Sequence, residues 1–231
     1  MNNSNLWDIN LQSCIDKNLN YHYMEKGPLD NKFDNYTYNS IKYLKNCNKI
    51  LDVGCGYGGP SSFLLSQDAN LEISCITNSQ SQYDIVSKKF DCYLTDASEF
   101  SSDLKFDIVV FFDSLCLMDA ESTLENLSNC TSKIFIKDYI HLDKDYYYTP
   151  RWEMTFRSEN NWRELLGKYG FEVKHFEIND KVLVKESHEF WNKQVENSTS
   201  THRQIEMLKT ISKSKQLKEG KGHCLLYAEK I

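Results

Sequence analysis

The chain has 231 residues, 40% of them hydrophobic and 26% charged, which suffices for one sizeable α/β domain with its own buried core. Its apolar runs, such as Ile108–Phe112, are too short to span a bilayer, and Met-Asn-Asn-Ser-Asn-Leu-Trp-Asp at the start lacks the basic and apolar parts of a secretory signal, so a cytoplasmic protein is expected. A formal charge of −6 argues against holding nucleic acid over a broad face, since that binding runs on phosphate neutralisation, and no amphipathic membrane anchor is evident.

The first 48 residues show no strand pattern. Amphipathic spacing predicts helices over 9–17 and 33–45, forming an N-terminal helical cap on a domain of residues 49–231. From Lys49 onward, short runs rich in Ile, Val, Phe, Tyr and Cys alternate with helix-length stretches, as in successive βα units. Strands are expected over 50–53, 71–76, 90–94, 106–112 and 133–137. Between them come helices over 60–67, 79–89 and 120–130 and a turn over 97–100. Pro60 suits a first helical turn, and Ser79 with Gln82 has the spacing of a capping box. An aromatic, Pro-containing connection over 139–157 has the length of a substrate loop. A helix over 160–169 then ends at Gly170, a strand follows over 171–178, a long polar helix over 187–215, and a last strand over 224–229.

These elements predict an α/β fold: a doubly wound, mostly parallel, seven-stranded Rossmann-like sheet with one antiparallel strand at its C-terminal edge. Lys209, Lys213, Lys215, Lys218 and Lys221 form the one basic stretch, read as a solvated face. None of the eight cysteines falls in a Cys-x-x-Cys pair, and several sit in strand-like runs, so free thiols and no metal site are expected.

The segment Ile50-Leu51-Asp52-Val53-Gly54-Cys55-Gly56-Tyr57-Gly58-Gly59 sets closely spaced glycines between a strand and a helix, where backbone amides can approach a ligand. Asp52 adds an acceptor at the carboxyl end of that strand, the binding edge of open α/β sheets. No Gly-Lys-Ser/Thr follows for a P-loop, and the residues after Gly58 make a poor dinucleotide fingerprint.

This segment resembles the first motif of the class I S-adenosylmethionine-dependent methyltransferases. Ile76-Thr77-Asn78-Ser79-Gln80-Ser81-Gln82 further resembles the branch that holds cyclopropane-fatty-acid synthases and the tocopherol and coclaurine methyltransferases. The resemblance covers about residues 49–173 and implies S-adenosylmethionine as cofactor. It would be held by Asp52, Gly54, Cys55, Gly56 and Gly58, by Thr77 and Asn78 in place of the usual ribose-binding acid, by Gln82 of the same segment, by Asp96 and Ala97 at adenine, and by Asp113 and Ser114 beneath the sulfonium. Leu117 stands where many small-molecule members carry His.

Methyl transfer to an activated sulfonium carbon asks mainly for orientation, so a strong base is optional. Asp113, His141 and His22 are the candidate catalytic groups, and Tyr21, Tyr147 and Trp152 the candidate acceptor contacts, because aromatic walls suit apolar or cationic acceptors. The expected partner is a small molecule taken by a monomer or homodimer. A lipid-modifying enzyme of the cyclopropane synthase type and a silent cofactor-binding module are the alternatives.

Overall fold

A computed structural model describes residues 23–149, 154–196 and 220–231. The predicted helix over 9–17 and the part of the 187–215 helix beyond residue 196 lie outside the described residues.

Five strands, β1 (Lys49–Val53), β2 (Glu72–Thr77), β3 (Asp91–Leu94), β4 (Ile108–Phe112) and β5 (Lys133–His141), lie parallel in the order β3-β2-β1-β4-β5. β4 is buried along its whole length, as a central parallel strand covered on both faces should be. Two last strands extend the sheet. The C-terminal β9 (Lys221–Lys230) runs antiparallel beside β5, and β8 (Phe171–Ile178) pairs antiparallel with β9 at the edge. These seven strands are the predicted sheet, with the antiparallel strand slotted one place in from its rim.

Strand parity sorts the core into two layers. Leu51, Val53, Val109 and Phe111 point to one face and pack with Leu124, Leu127, Trp162 and Leu166; Ile50, Ile108, Val110 and Phe112 point to the other and pack with Tyr36, Leu44, Leu64 and Val86. Helices therefore cover both faces: α1 (Lys32–Tyr38), α2 (Gly59–Gln67) and α3 (Gln80–Val86) on the second, and α4 (Ala120–Leu127) and α5 (Glu159–Lys168) on the first, with α6 (Val184–Glu196) following β8. Their starts are encoded locally. Asn31, Ser79, Asp119 and Ser158 each accept a first-turn amide, and Pro60 opens α2.

Three elements depart from the sequence expectation. The helix over 33–45 breaks after Tyr38, where Thr37, Asn39 and Ser40 favour local side-chain bonds; Ser40 Oγ donates to Tyr36 O, and a short 3-10 turn (Ile41–Tyr43) follows. β5 runs on to His141, because β9 pairs with it along its full length. The connection over 139–157 is not all loop. β6 (Tyr146–Thr149) and β7 (Met154–Arg157) form an antiparallel hairpin joined to β5 at Ile140↔Arg157, bringing the strands among the described residues to nine. Among the described residues no helix is long and apolar enough to cross a membrane.

Candidate functional site

Strand order reverses at β1, whose neighbours β2 and β4 carry the chain away in opposite directions, so a crevice opens at its carboxyl end. Gly54, Gly56 and Gly58 occupy that end with φ of 72°, 56° and 77°, values glycine adopts at little cost. Gly54 N and Cys55 N both donate to Ile76 O at 2.9 and 3.1 Å, which ties the loop to the end of β2. On its other side the loop meets the turn after β4. A Cβ on Gly54 would stand 2.6 Å from Met118 Cε and 2.7 Å from Ser114 Cβ, and Ser114 Oγ donates to Val53 O at 2.6 Å. Ser114 thus has its hydroxyl committed to holding the two strand ends together.

Asp52 is buried beneath this loop. Ser61 Oγ donates to its Oδ2 at 2.6 Å, while Oδ1 has no hydrogen-bond partner among the described residues. Burial pushes its carboxyl up to about 7, against the smaller opposing effect of the Ser61 bond. A carboxyl raised on folding stabilises the fold below its unfolded value and loses that contribution as pH rises through the folded value. The denaturant midpoint is therefore expected to fall between about pH 4 and about pH 7, by roughly 1.4 kcal/mol per unit of pKa displacement. Asp52→Asn should flatten that slope in urea titrations followed by circular dichroism; an unchanged slope would remove Asp52 as its source.

At the end of β2, Thr77 Oγ1 donates to Gln82 Oε1 at 2.7 Å and accepts from Ser79 N at 3.1 Å, so both side chains serve the turn into α3. Asn78 between them is exposed. Past β3, Asp96 Oδ1 accepts from Ser98 N and Ser98 Oγ at 2.9 and 2.7 Å, and Ala97 is buried in the first core layer. Asn78 and Asp96 are thus exposed along this rim, while Thr77 and Gln82 are buried.

Past β4, Asp113 has φ of 52°, unusual for a residue with a side chain, and its amide donates to Lys137 O at 2.8 Å. Its Oδ1 lies 2.5 Å from Nε2 of His223, a fully buried side chain on β9. Asn179 Nδ2 sits 3.4 Å from His223 Nδ1 and presents a proton there, which leaves the ring's own proton on Nε2, facing Asp113. The same Nδ2 donates to Glu25 Oε1 at 2.6 Å, and Glu25 Oε1 pairs with Lys137 Nζ at 2.7 Å, both side chains fully buried. A closed circuit of buried polar contacts results: Asp113, His223, Asn179, Glu25, Lys137 and back to the Asp113 amide. Tyr36 lies against it, its ring centroid 3.8 Å from Lys137 Nζ. Burial lowers the Lys137 ammonium from its ordinary value, and Glu25 opposes that change. Neighbouring Asp138 is raised to about 6, by burial first and by Asp113 second.

Aromatic rings surround the pair. Tyr23, Tyr36 and Tyr139 meet the His223 ring edge-on at 6.1, 5.9 and 5.5 Å between centroids. Tyr147 on β6 is half-buried and packs on Phe156, against the cluster that includes Tyr23, Cys116, Tyr139 and the partly buried Leu117. His141 takes no part in the Asp113 circuit. It lies about 13 Å farther along β5 than Lys137, at roughly 3.3 Å per residue. Its Nδ1 accepts from the amides of Asp143 and Lys144 at 3.2 and 3.1 Å, and burial lowers its pKa, with Lys144 and Lys221 adding to the effect. Tyr21, His22 and Trp152 lie outside the described residues.

Sequence reasoning missed His223, Glu25 and Lys137. One signal for the last was present, a Lys-Asp pair inside the apolar Ile134-Phe135-Ile136-Lys137-Asp138-Tyr139-Ile140 run, where charge is retained only if it is paired.

No known protein-family profile matches the chain. Among curated proteins it is 21% identical over 187 residues to (S)-tetrahydroprotoberberine N-methyltransferase of Eschscholzia californica, which covers 70% of this chain and 53% of that protein. The chain spans about half the length of that relative. Among solved structures, a cyclopropane synthase from Mycobacterium tuberculosis superimposes with a TM-score of 0.81 at 12% identity, covering 99% of each chain. The cyclase SpnF gives 0.81 at 16%, covering 98% of this chain and 94% of its own. Coclaurine N-methyltransferase bound to N-methylheliamine and S-adenosylhomocysteine gives 0.75 at 15%, covering 95% and 78%. The fold is that of the S-adenosylmethionine-dependent methyltransferases, and the cyclopropane synthase and the coclaurine N-methyltransferase are of the branch that the chain's motifs resemble.

Proposed function

We propose that the chain binds S-adenosylmethionine at the carboxyl end of β1 and transfers its methyl group to a small-molecule acceptor beside Asp113. The observation that carries this reading is the left-handed glycine loop at the point where strand order reverses, set over a buried Asp52 whose Oδ1 has no partner among the described residues. That cradle fits a ligand bearing both hydrogen-bond acceptors and positive charge.

When bound, the cofactor supplies a methyl carbon already activated by its sulfonium. The backbone at Gly54, Cys55, Gly56 and Gly58, with Asp52 beneath, holds its amino-acid part. Asn78, exposed where Thr77 and Gln82 are not, meets the ribose hydroxyls, and Asp96 with Ala97 meets the adenine. Ser114 keeps the two strand ends in register. Asp113, held by His223, orients the acceptor and takes up the proton it releases, a role the sequence offered to His141 or His22. Tyr147 covers the acceptor with its ring. The acidic overall charge supports a small neutral or cationic acceptor, met in the cytoplasm, over nucleic acid.

Titration of the protein with S-adenosylhomocysteine, followed by transfer of labelled methyl from S-adenosylmethionine into a panel of amines, phenols and activated carbon acids, tests the reading. No binding would overturn it. Asp113→Asn is expected to lower kcat by about 10²–10⁴-fold, the range for a positioned proton acceptor. His223→Gln, which keeps a donor toward Asp113, should cost less and shift the pH profile; equal losses in both, with no pH shift, would argue for a purely structural pair. A second reading follows from SpnF, a cyclase by name that covers 98% of this chain. Cofactor binding without methyl transfer across the panel would favour it.

A further inference from the structure

Three thiols meet under the glycine loop. Cys75 on β2 and Cys92 on β3 are register partners in adjacent parallel strands, so their side chains project from the same face. Cys55 lies between Gly54 and Gly56, and its amide donates to the carbonyl of Ile76, the residue after Cys75, which folds it back over that face. Cys55 and Cys75 lie in the same buried core layer with Cys92 packed against it, Cys55 Sγ donating to Gly56 O at 3.6 Å and Cys75 Sγ to Ser61 Oγ at 3.9 Å. All three are free. They differ in access: Cys55 and Cys75 are buried, whereas Cys92 is only half-buried because β3 is the edge strand. Contact with Cys55 also lowers the Cys92 pKa, which raises its thiolate share, while Cys55 itself is pushed up by its two thiol neighbours and by burial.

We propose that Cys92 and Cys55 form a reversible oxidation site at which a peroxide writes a disulfide into the glycine loop and weakens ligand binding there. The Cys92 thiolate attacks one peroxide oxygen, the O–O bond breaks, and the other oxygen leaves as water, giving a sulfenic acid. The Cys55 sulfur then attacks that sulfur, the S–O bond breaks, and the hydroxyl departs with the Cys55 proton as a second water. Two thiols lose two electrons, and one peroxide becomes two waters.

Cys55 is a better resolving partner than Cys75. Register partners in a parallel sheet stand about 4.8 Å apart with nearly parallel side chains, whereas a disulfide brings Cβ atoms to about 3.8 Å with a dihedral near 90°. Closing that gap would bend two core strands. Cys55 sits on a loop between two left-handed glycines and absorbs the approach of the sulfurs to about 2.05 Å by moving the loop. The consequence for ligand binding rests on the cofactor reading above; the disulfide itself does not.

The full-length reduced chain is treated with hydrogen peroxide, remaining thiols are alkylated, and proteolytic peptides are read by mass spectrometry. A linked pair containing Cys55 and Cys92, short of two hydrogens and released by dithiothreitol, is expected. Cys92→Ser should abolish it and Cys75→Ser should leave it. Calorimetry with S-adenosylhomocysteine should show affinity about tenfold weaker in the oxidised chain, the scale of one lost hydrogen bond, and restored by reduction. No bridge, or a bridge to Cys75, overturns the site, and a bridge with unchanged affinity overturns its link to the loop. If the reduced chain binds no S-adenosylhomocysteine, the cofactor reading fails, while peptide mapping still decides the bridge.

Discussion

Lys137→Met is expected to lower the unfolding free energy by about 3–5 kcal/mol, the scale for removing one member of a buried ion pair. Lys137 and Glu25 are both fully buried and 2.7 Å apart, and Asn179 and Asn39 donate to the same carboxylate. Without the ammonium, Glu25 must either stay charged in an apolar setting or take up a proton, and each costs free energy. Glu25 is also where the N-terminal segment is fastened. Lys26 N donates to Lys181 O, Leu183 N donates to Met24 O, and Met24 N donates to Ser187 Oγ. The loss should therefore come with earlier proteolysis near residue 25 as well as a lower urea midpoint. Glu25→Gln combined with Lys137→Met removes both charges and is expected to recover much of the loss, since an apolar replacement of a buried pair is often close to neutral. A single Lys137→Met variant as stable as the parent would show that the pair contributes no net stability to the fold.

Gly54→Ala is expected to abolish measurable binding of S-adenosylhomocysteine and also to destabilise the fold. The added Cβ would stand 2.7 Å from Ser114 Cβ, which forces the turn after β4 to move, and 2.6 Å from Met118 Cε, the end of a side chain that can swing aside. Overpacking of this kind costs about 1–3 kcal/mol. A left-handed backbone adds roughly 1–2 kcal/mol for a residue with a side chain. Both penalties fall on the seam between β1 and β4, where the ligand cradle is proposed, so binding and stability are expected to drop together. Gly167→Ala is the matched control. Nothing lies within 4 Å of its added Cβ in α5, and alanine there should be neutral or stabilising by about 0.5–1 kcal/mol. Calorimetry showing parental affinity in Gly54→Ala would contradict a ligand site at this loop.

Much of the fold was readable from the chain by itself because its determinants are local. Alternating βα runs, the caps at Ser79 and Gly170, Pro60 and the glycines after Val53 act within a turn or two of their own position, and periodicity of two or near 3.6 marks which residues face a core. Local chemistry misled where neighbours elsewhere decided. The helix over 33–45 broke where Thr37, Asn39 and Ser40 offered competing bonds, and the presumed substrate loop paired with itself as β6 and β7. The Asp113–His223 contact joins residues 110 positions apart and exists only because β9 inserts beside β5. The Glu25–Lys137 contact is likewise non-local, and a charge on one segment carries no mark of which distant segment will neutralise it. Sequence by itself determined where the glycine loop would lie; tertiary packing decided which histidine stands beside Asp113, because only folding brings non-local partners within hydrogen-bond reach.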